Sequence, residues 1–137
     1  MQTQQPFRFE ARIRFVDTDA SGRIHYTAMF RHFEAAETEL MRSLDIRYSR
    51  DAYLFPRVHV ECDFRAAILY DDLVDIEVFL TKLGKSSVRF KFQTWKSGDL
   101  AASGAVVAVC VDAKTQRPIP IPEELRKKLL PALQEPE

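Results

Sequence analysis

The densest run of chemically capable side chains is Asp17-Thr18-Asp19-Ala20-Ser21-Gly22-Arg23-Ile24-His25-Tyr26. It falls between a segment with strand periodicity and one with helix periodicity. The N–H groups of a helix's first turn lack intrahelical acceptors, and with the helix dipole they favour negative charge in front of them. A carboxylate held beside such donors can attack a carbonyl, or activate water against it, while the donors stabilise the developing oxyanion. That is acyl-transfer chemistry without serine, cysteine or metal.

Three other readings compete for the same run. Asp17, Asp19, Ser21, Gly22 and Ile24 match positions 1, 3, 5, 6 and 8 of an EF-hand calcium loop. Position 12, however, is Ala28, where a bidentate glutamate is required, and a strand rather than a helix enters the loop. An aspartyl-phosphate site needs a buried parallel strand before its Asp-x-Asp; here the strand is half polar and alternating βα units are absent. The pattern alone leaves the third reading open, in which Asp and Ser simply form a turn and cap a helix.

Further candidates lie elsewhere. Glu34, Glu37 and Glu39 fall in the helical segment; Glu37 borders its apolar stripe, where it could face the site, but the commoner outcome is a residue half solvated or paired locally, as with Arg42. His32 is expected on the helix surface and His59 on the polar face of a strand, neither with ligand-type neighbours, so no metal site is expected. Cys62 and Cys110 lack the close spacing of a metal or redox pair and read as buried packing residues.

The elements that must position these groups follow from periodicity. Phe7, Phe9, Ala11, Ile13 and Phe15 alternate with Arg8, Glu10, Arg12 and Arg14, a strand with one face in the core. Met29, Phe33, Ala36, Leu40 and Leu44 recur at steps of three and four, which predicts one long helix over residues 27–44 with Thr27 as N-cap. Alternation returns in residues 57–64, 74–80 and 88–93, with turn signals at Tyr70-Asp71-Asp72 and Gly84-Lys85-Ser86, and suggests an antiparallel meander. Ser97-Gly98-Asp99 turns the chain into a final strand, which is apolar throughout from Ala105 to Val111 and is therefore expected to be covered on both faces. Pro122, then Glu123 and Glu124, then Arg126, Lys127 and Lys128, order their charges to suit the dipole of a short helix. Strand, long helix and four strands make an α+β fold in which an antiparallel sheet covers the helix stripe. One helix leaves part of such a sheet bare, so a second copy is expected to complete the core.

The chain's 137 residues suit a single domain spanning 1–137, and its 46% hydrophobic content suits a globular core. A net charge of +0 argues against nucleic-acid binding, which calls for a basic surplus. No apolar run reaches membrane-spanning length and residues 1–6 lack the apolar stretch of a signal peptide, so a cytoplasmic protein without membrane association is expected.

The motif at residues 17–22, His25-Tyr26, and the helix segment Phe30-Arg31-His32-Phe33-Glu34 together resemble the hotdog-fold thioesterases of the 4-hydroxybenzoyl-CoA thioesterase type. The similarity continues through residues 58–64, Tyr70-Asp71-Asp72 and Leu83-Gly84-Lys85-Ser86-Ser87, covering roughly residues 8–127. It implies a curved five-stranded antiparallel sheet wrapped around one long helix, and hydrolysis of acyl-CoA by a homodimer or homotetramer without a cofactor. Asp19 would be the nucleophile or general base, and the Tyr26 N–H would polarise the thioester carbonyl. Gly22 would let the backbone approach the substrate, with His25 as a neighbour of the site, while Asp17 would orient the loop. The segment holding Lys85, Ser86 and Ser87 would lie near the CoA, whose phosphates call for basic groups; Lys82, Arg89 and Arg117 are further candidates by strand-end position. Members of this group often carry an apolar residue where Arg23 stands, and an aromatic residue followed by histidine where His25-Tyr26 stands, so the acyl pocket is expected to differ. The alternatives are a hydratase or dehydratase acting on CoA or carrier-protein thioesters, and a non-catalytic acyl-CoA-binding protein.

Overall fold

A computed structural model describes residues 5–48 and 51–136. Strand β1 (Phe7–Arg12) leads through a short 3-10 turn (Phe15–Asp17) to helix α1 (Tyr26–Ser43). Then follow β2 (Tyr53–Leu54), β3 (Arg57–Phe64), β4 (Leu73–Leu83), β5 (Ser87–Lys96), β6 (Asp99–Val109), β7 (Val111–Asp112) and α2 (Glu123–Leu129). Five strands form one antiparallel sheet in the order β1-β4-β5-β6-β3, while β2 and β7 make a separate two-stranded ladder. This is the α+β hotdog arrangement: one long helix laid on one face of an antiparallel sheet.

The expected faces are observed for β1, α1 and β5. β4, however, also buries Glu77, which accepts the Arg8 guanidinium and the Trp95 N–H, and Val58, Val60 and Phe64 of β3 are exposed. Met29, Phe33, Ala36 and Leu40 of α1 are buried against Val74, Ile76, Val78 and Leu80 of β4 and Val88, Phe90 and Phe92 of β5. Phe33 stacks on Phe92 with ring centroids 4.4 Å apart. That approach depends on Gly104, where an added Cβ would meet the Phe33 ring at 2.5 Å and the Glu61 carbonyl at 2.6 Å. Overpacking of this kind typically costs about 1–3 kcal/mol.

Four boundaries differ from the sequence reading, each for a local reason. The first strand stops at Arg12, because the Asp17 carboxylate accepts the Arg14 N–H at 2.8 Å and folds residues 14–17 into a turn that leaves Phe15 exposed. His25, not Thr27, caps α1: its Nδ1 accepts the Thr27 N–H at 3.2 Å, so the helix starts at Tyr26. The last sheet strand, entered at Asp99 as expected, ends at Val109, not Val111; its outward residues Val107 and Val109 are only half-buried, so it is not covered on both faces. The meander holds for β4, β5 and β6, but β3 pairs with β6, not β4. β3 and β4 therefore lie on different sides of the sheet, and residues 65–72 cross its end between them.

β3 is a sheet edge among the described residues, with Val58, Val60 and Phe64 exposed by 60, 48 and 45%. Cys110 is buried and Cys62 half-buried, and both are free; burial pushes the Cys62 thiol up to about 12, which keeps it protonated and unreactive. No described helix is long and apolar enough to cross a membrane.

Candidate active site

Between β1 and α1 the chain makes a tight turn locked by the Asp19 N–H to the Arg23 carbonyl (2.8 Å) and the Gly22 N–H to the Asp19 carbonyl (3.0 Å). Gly22 sits at φ +80°, with open space where a Cβ would stand, so its requirement is the left-handed backbone and not a close contact within the chain. The Ile24 N–H donates to the Ile68 carbonyl at 2.7 Å and the Tyr70 N–H to the Gly22 carbonyl at 3.1 Å, tying the turn to the segment that crosses the sheet end.

Asp19 is exposed at the tip of this turn. Its Oδ1 accepts the Ser21 hydroxyl at 2.6 Å and the Ser21 N–H at 2.8 Å. The hydroxyl bond first, then the N–H bond, with help from the Arg23 N–H and the nearby His25, hold its carboxyl below the usual aspartate value. Asp19 is therefore ionised at neutral pH. It lines an open groove of about 260 Å³ together with Arg23, Ile24, Phe64, Arg65, Ala66, Ala67 and Ile68.

Asp17, two residues back, is buried and occupied. It takes the Arg14 N–H, the Arg31 guanidinium at 2.9 Å and His32 Nε2 at 3.1 Å. Burial opposes its ionisation, but these three partners outweigh it and hold the carboxyl below the usual range. Asp17 thus fastens the turn to the first turns of α1. His32, expected on the helix surface, instead faces inward with its side chain 15% exposed, because Asp17 supplies the partner that lets an imidazole leave water.

The start of α1 adjoins this turn. The Tyr26 N–H occupies the first helical position, which has no intrahelical acceptor. The His25 ring stacks on the Tyr26 ring at 4.6 Å, and its Nδ1 is engaged by Thr27, so the network assigns the neutral ring's proton to Nε2.

Asp19, Gly22, His25 and Tyr26 are thus gathered in one turn and helix start. Lys85, Ser86 and Ser87 are not gathered with them. They form the turn after β4, at the far end from Leu73, and 11 residues of strand separate the two ends by roughly 30 Å. There the Lys85 carbonyl accepts the Ile121 N–H and the Arg126 guanidinium, and the Ser86 carbonyl accepts the Cys110 N–H.

Sequence reasoning missed the groove wall at residues 65–68, which follows β3 and whose irregular backbone carries no periodic signal. It also missed the clasp behind that wall, where the Lys96 ammonium bridges the Ala67 carbonyl (3.0 Å) and the Asp72 carboxylate (2.7 Å). Glu37 was expected to be half solvated or paired with Arg42. Instead it is 1% exposed and accepts the Arg57 guanidinium at 2.8 Å and the Tyr48 hydroxyl, while Arg42 reaches Glu39 at 3.6 Å. Among the described residues no group of three or more His, Cys, Asp or Glu could hold a metal ion.

Comparison with known proteins adds three likenesses and a family. Residues 13–129 match the family described as Thioesterase-like superfamily. The chain is 28% identical over 125 residues to a 1,4-dihydroxy-2-naphthoyl-CoA hydrolase of Synechococcus elongatus, covering 88% of this chain and 92% of that one. It is 24% identical over 124 residues to the acyl-CoA thioesterase YbgC of Haemophilus influenzae, covering 88% and 91%. A crystal structure from Aquifex aeolicus matches with a TM-score of 0.85 at 28% identity, covering 90% of this chain and 99% of that one.

Proposed function

Since the chain belongs to the thioesterase-like superfamily, we propose that it hydrolyses acyl-CoA thioesters to a carboxylic acid and free CoA, with Asp19 as the reacting carboxylate. The observation that carries this reading is an ionised Asp19 lining a groove, in the turn that leads directly into the Tyr26 N–H at the start of α1. The names of the two enzyme relatives, both acting on CoA thioesters, support the substrate class.

Asp19 attacks the thioester carbonyl, and the oxyanion that forms accepts the Tyr26 N–H. The C–S bond breaks, CoA leaves as thiolate and takes a proton from solvent, and water hydrolyses the mixed anhydride to regenerate Asp19. In the second form Asp19 takes the proton of an attacking water. Both forms need Asp19 ionised, which its two bonds from Ser21 favour. His25, already engaged in capping, acts as a neighbour that stacks on Tyr26. A hydratase would need an imidazole free to move protons, and no observation favours it.

The same proposal includes a second copy, joined along the open edge of β3. A bare strand eight residues long with exposed Val58, Val60 and Phe64 invites pairing. Two-fold pairing about an axis normal to the sheet is antiparallel and sets the partner's β3 start beside this chain's Phe64. The Lys85–Ser87 turn lies at the level of that strand start, since Ser87 pairs with Val109 and the Val109 N–H donates to the Pro56 carbonyl. In such a dimer the partner's turn faces this chain's Asp19, and Lys85, Ser86 and Ser87 would meet the CoA of the neighbouring site.

The test is thiol release from a panel of aromatic, short-chain and long-chain acyl-CoAs. Catalytic release from at least one class is expected. Tight binding of acyl-CoA with no thiol released over hours would overturn the reading in favour of a binding protein.

A further inference from the structure

We infer that Arg23 and Arg65 receive an anionic group carried by the acyl half of the substrate, so that the preferred thioesters have a carboxylate or comparably acidic group on the acyl chain. This rests on the proposed thioesterase reading and specifies its substrate class.

Both arginines line the groove that holds Asp19. They come from different segments, Arg23 from the turn before α1 and Arg65 from the stretch leaving β3. Among the described residues neither guanidinium has an ion-pair or hydrogen-bond partner. Arg8, Arg12, Arg31, Arg42 and Arg57 each sit on a carboxylate of the chain. Arg47, Arg89 and Arg117 share the lack of a partner among the described residues but do not line this groove. The groove therefore carries two positive charges against the one negative charge of Asp19, a surplus that would otherwise disfavour an apolar acyl group there. A guanidinium presents a planar fork matched to carboxylate and phosphate oxygens, and two of them in one open groove form a receptor for an oxyanion.

Two sources of that oxyanion exist on an acyl-CoA: the CoA phosphates and the acyl chain. Reach decides between them. Thirteen bonds separate the sulfur from the first phosphorus, about 15 Å when extended, at the roughly 3.6 Å that three backbone-type bonds span. Arg23 and Arg65 instead line the same groove, of about 260 Å³, as the reacting carboxylate. An anion held there is separated from the carbonyl by only a few bonds, which places it on the acyl group.

The experiment compares adipyl-CoA with hexanoyl-CoA, equal in chain length and differing in the terminal carboxylate, for the wild type and for Arg23→Gln, Arg65→Gln and the double variant. The wild type is expected to favour adipyl-CoA in kcat/KM. Each single variant should lower the adipyl-to-hexanoyl ratio by about tenfold, mainly through KM, the factor that one charge-assisted contact carries. The same pair as pantetheine thioesters, which lack the CoA phosphates, should keep the preference. A preference for hexanoyl-CoA, an equal loss on both substrates, or disappearance of the effect with pantetheine thioesters would overturn the inference while leaving thioester hydrolysis intact. If neither thioester is cleaved, the enzymatic reading is decided separately by the acyl-CoA panel, and equilibrium binding of uncleavable thioether analogues of the same pair decides the inference. Arginine-dependent tighter binding of the carboxylate analogue supports the inference, and equal binding overturns it.

Discussion

The hydroxyl and the N–H of Ser21 donate to the same oxygen of Asp19, Oδ1, at 2.6 and 2.8 Å. A residue two positions along the turn thereby fixes the carboxylate's direction and keeps it charged. The turn residues whose pattern alone could mean no more than a cap are, in this geometry, the support of an exposed carboxylate.

Ser21→Ala removes the stronger of these bonds and leaves the N–H. The Asp19 pKa then rises toward the ordinary value, since the bond that lowered it is gone. The wild-type rate should hold as pH falls through 5, with its acid limb below the usual carboxylate range, and the variant's limb should lie higher. A pH profile of kcat/KM checks this; an unmoved or lowered limb would separate Ser21 from the reacting group.

Asp17→Asn tests the fastening of the turn to α1. Hydrogen bonds to a buried charged group contribute about 1.5–3 kcal/mol, and the exposed Arg31 supplies less than its buried partners. A loss of about 2 kcal/mol is expected in urea unfolding at pH 7. The Asp17 pKa is depressed in the folded state, so its contribution is present above the ordinary aspartate value and disappears as pH falls through the folded one. The gap between wild type and variant should therefore narrow on acidification below about pH 4.

Arg57→Met leaves the buried Glu37 carboxyl with the Tyr48 hydroxyl as its remaining partner among the described residues. Breaking a buried pair from one side costs about 3–5 kcal/mol, and the partial exposure of Arg57 points to the lower end. Chemical denaturation measures it. A cost below about 1 kcal/mol would mean that water already shares the Glu37 site.

Val60→Asp places a charge in the middle of the open strand edge without touching the Asp19 turn. If β3 joins two copies, sedimentation should shift from dimer to monomer and thiol release should fall with it. An active monomer would show that one chain completes the site.

Much of this architecture was legible because alternation and helical periodicity report which face of an element is buried. Phe90 beside Lys91, and Phe33 four positions after Met29, declare their faces from composition alone, whereas Glu77 is buried against the alternation that predicts it outside. Periodicity does not name neighbours. Nothing in residues 57–64 distinguishes pairing with β6 from pairing with β4, so the strand order was lost. The contacts that set the site's surroundings bridge long gaps: His32 to Asp17 across 15 residues, Arg57 to Glu37 across 20, and Lys96 to the Ala67 carbonyl across 29. Short motifs see none of these. The Asp19 turn was legible because its turn chemistry, helix start and carboxylate fall within ten consecutive residues.

The most direct measurement is thiol release by Asp19→Asn under single-turnover conditions, with the fold checked by circular dichroism and urea unfolding. Asparagine keeps the size and can still accept from Ser21, but it can neither attack as a carboxylate nor take a proton. A fall of ~10²–10⁴ in rate with an unchanged fold is expected. A folded variant that releases CoA at close to the wild-type rate would contradict the assignment of Asp19 as the reacting group.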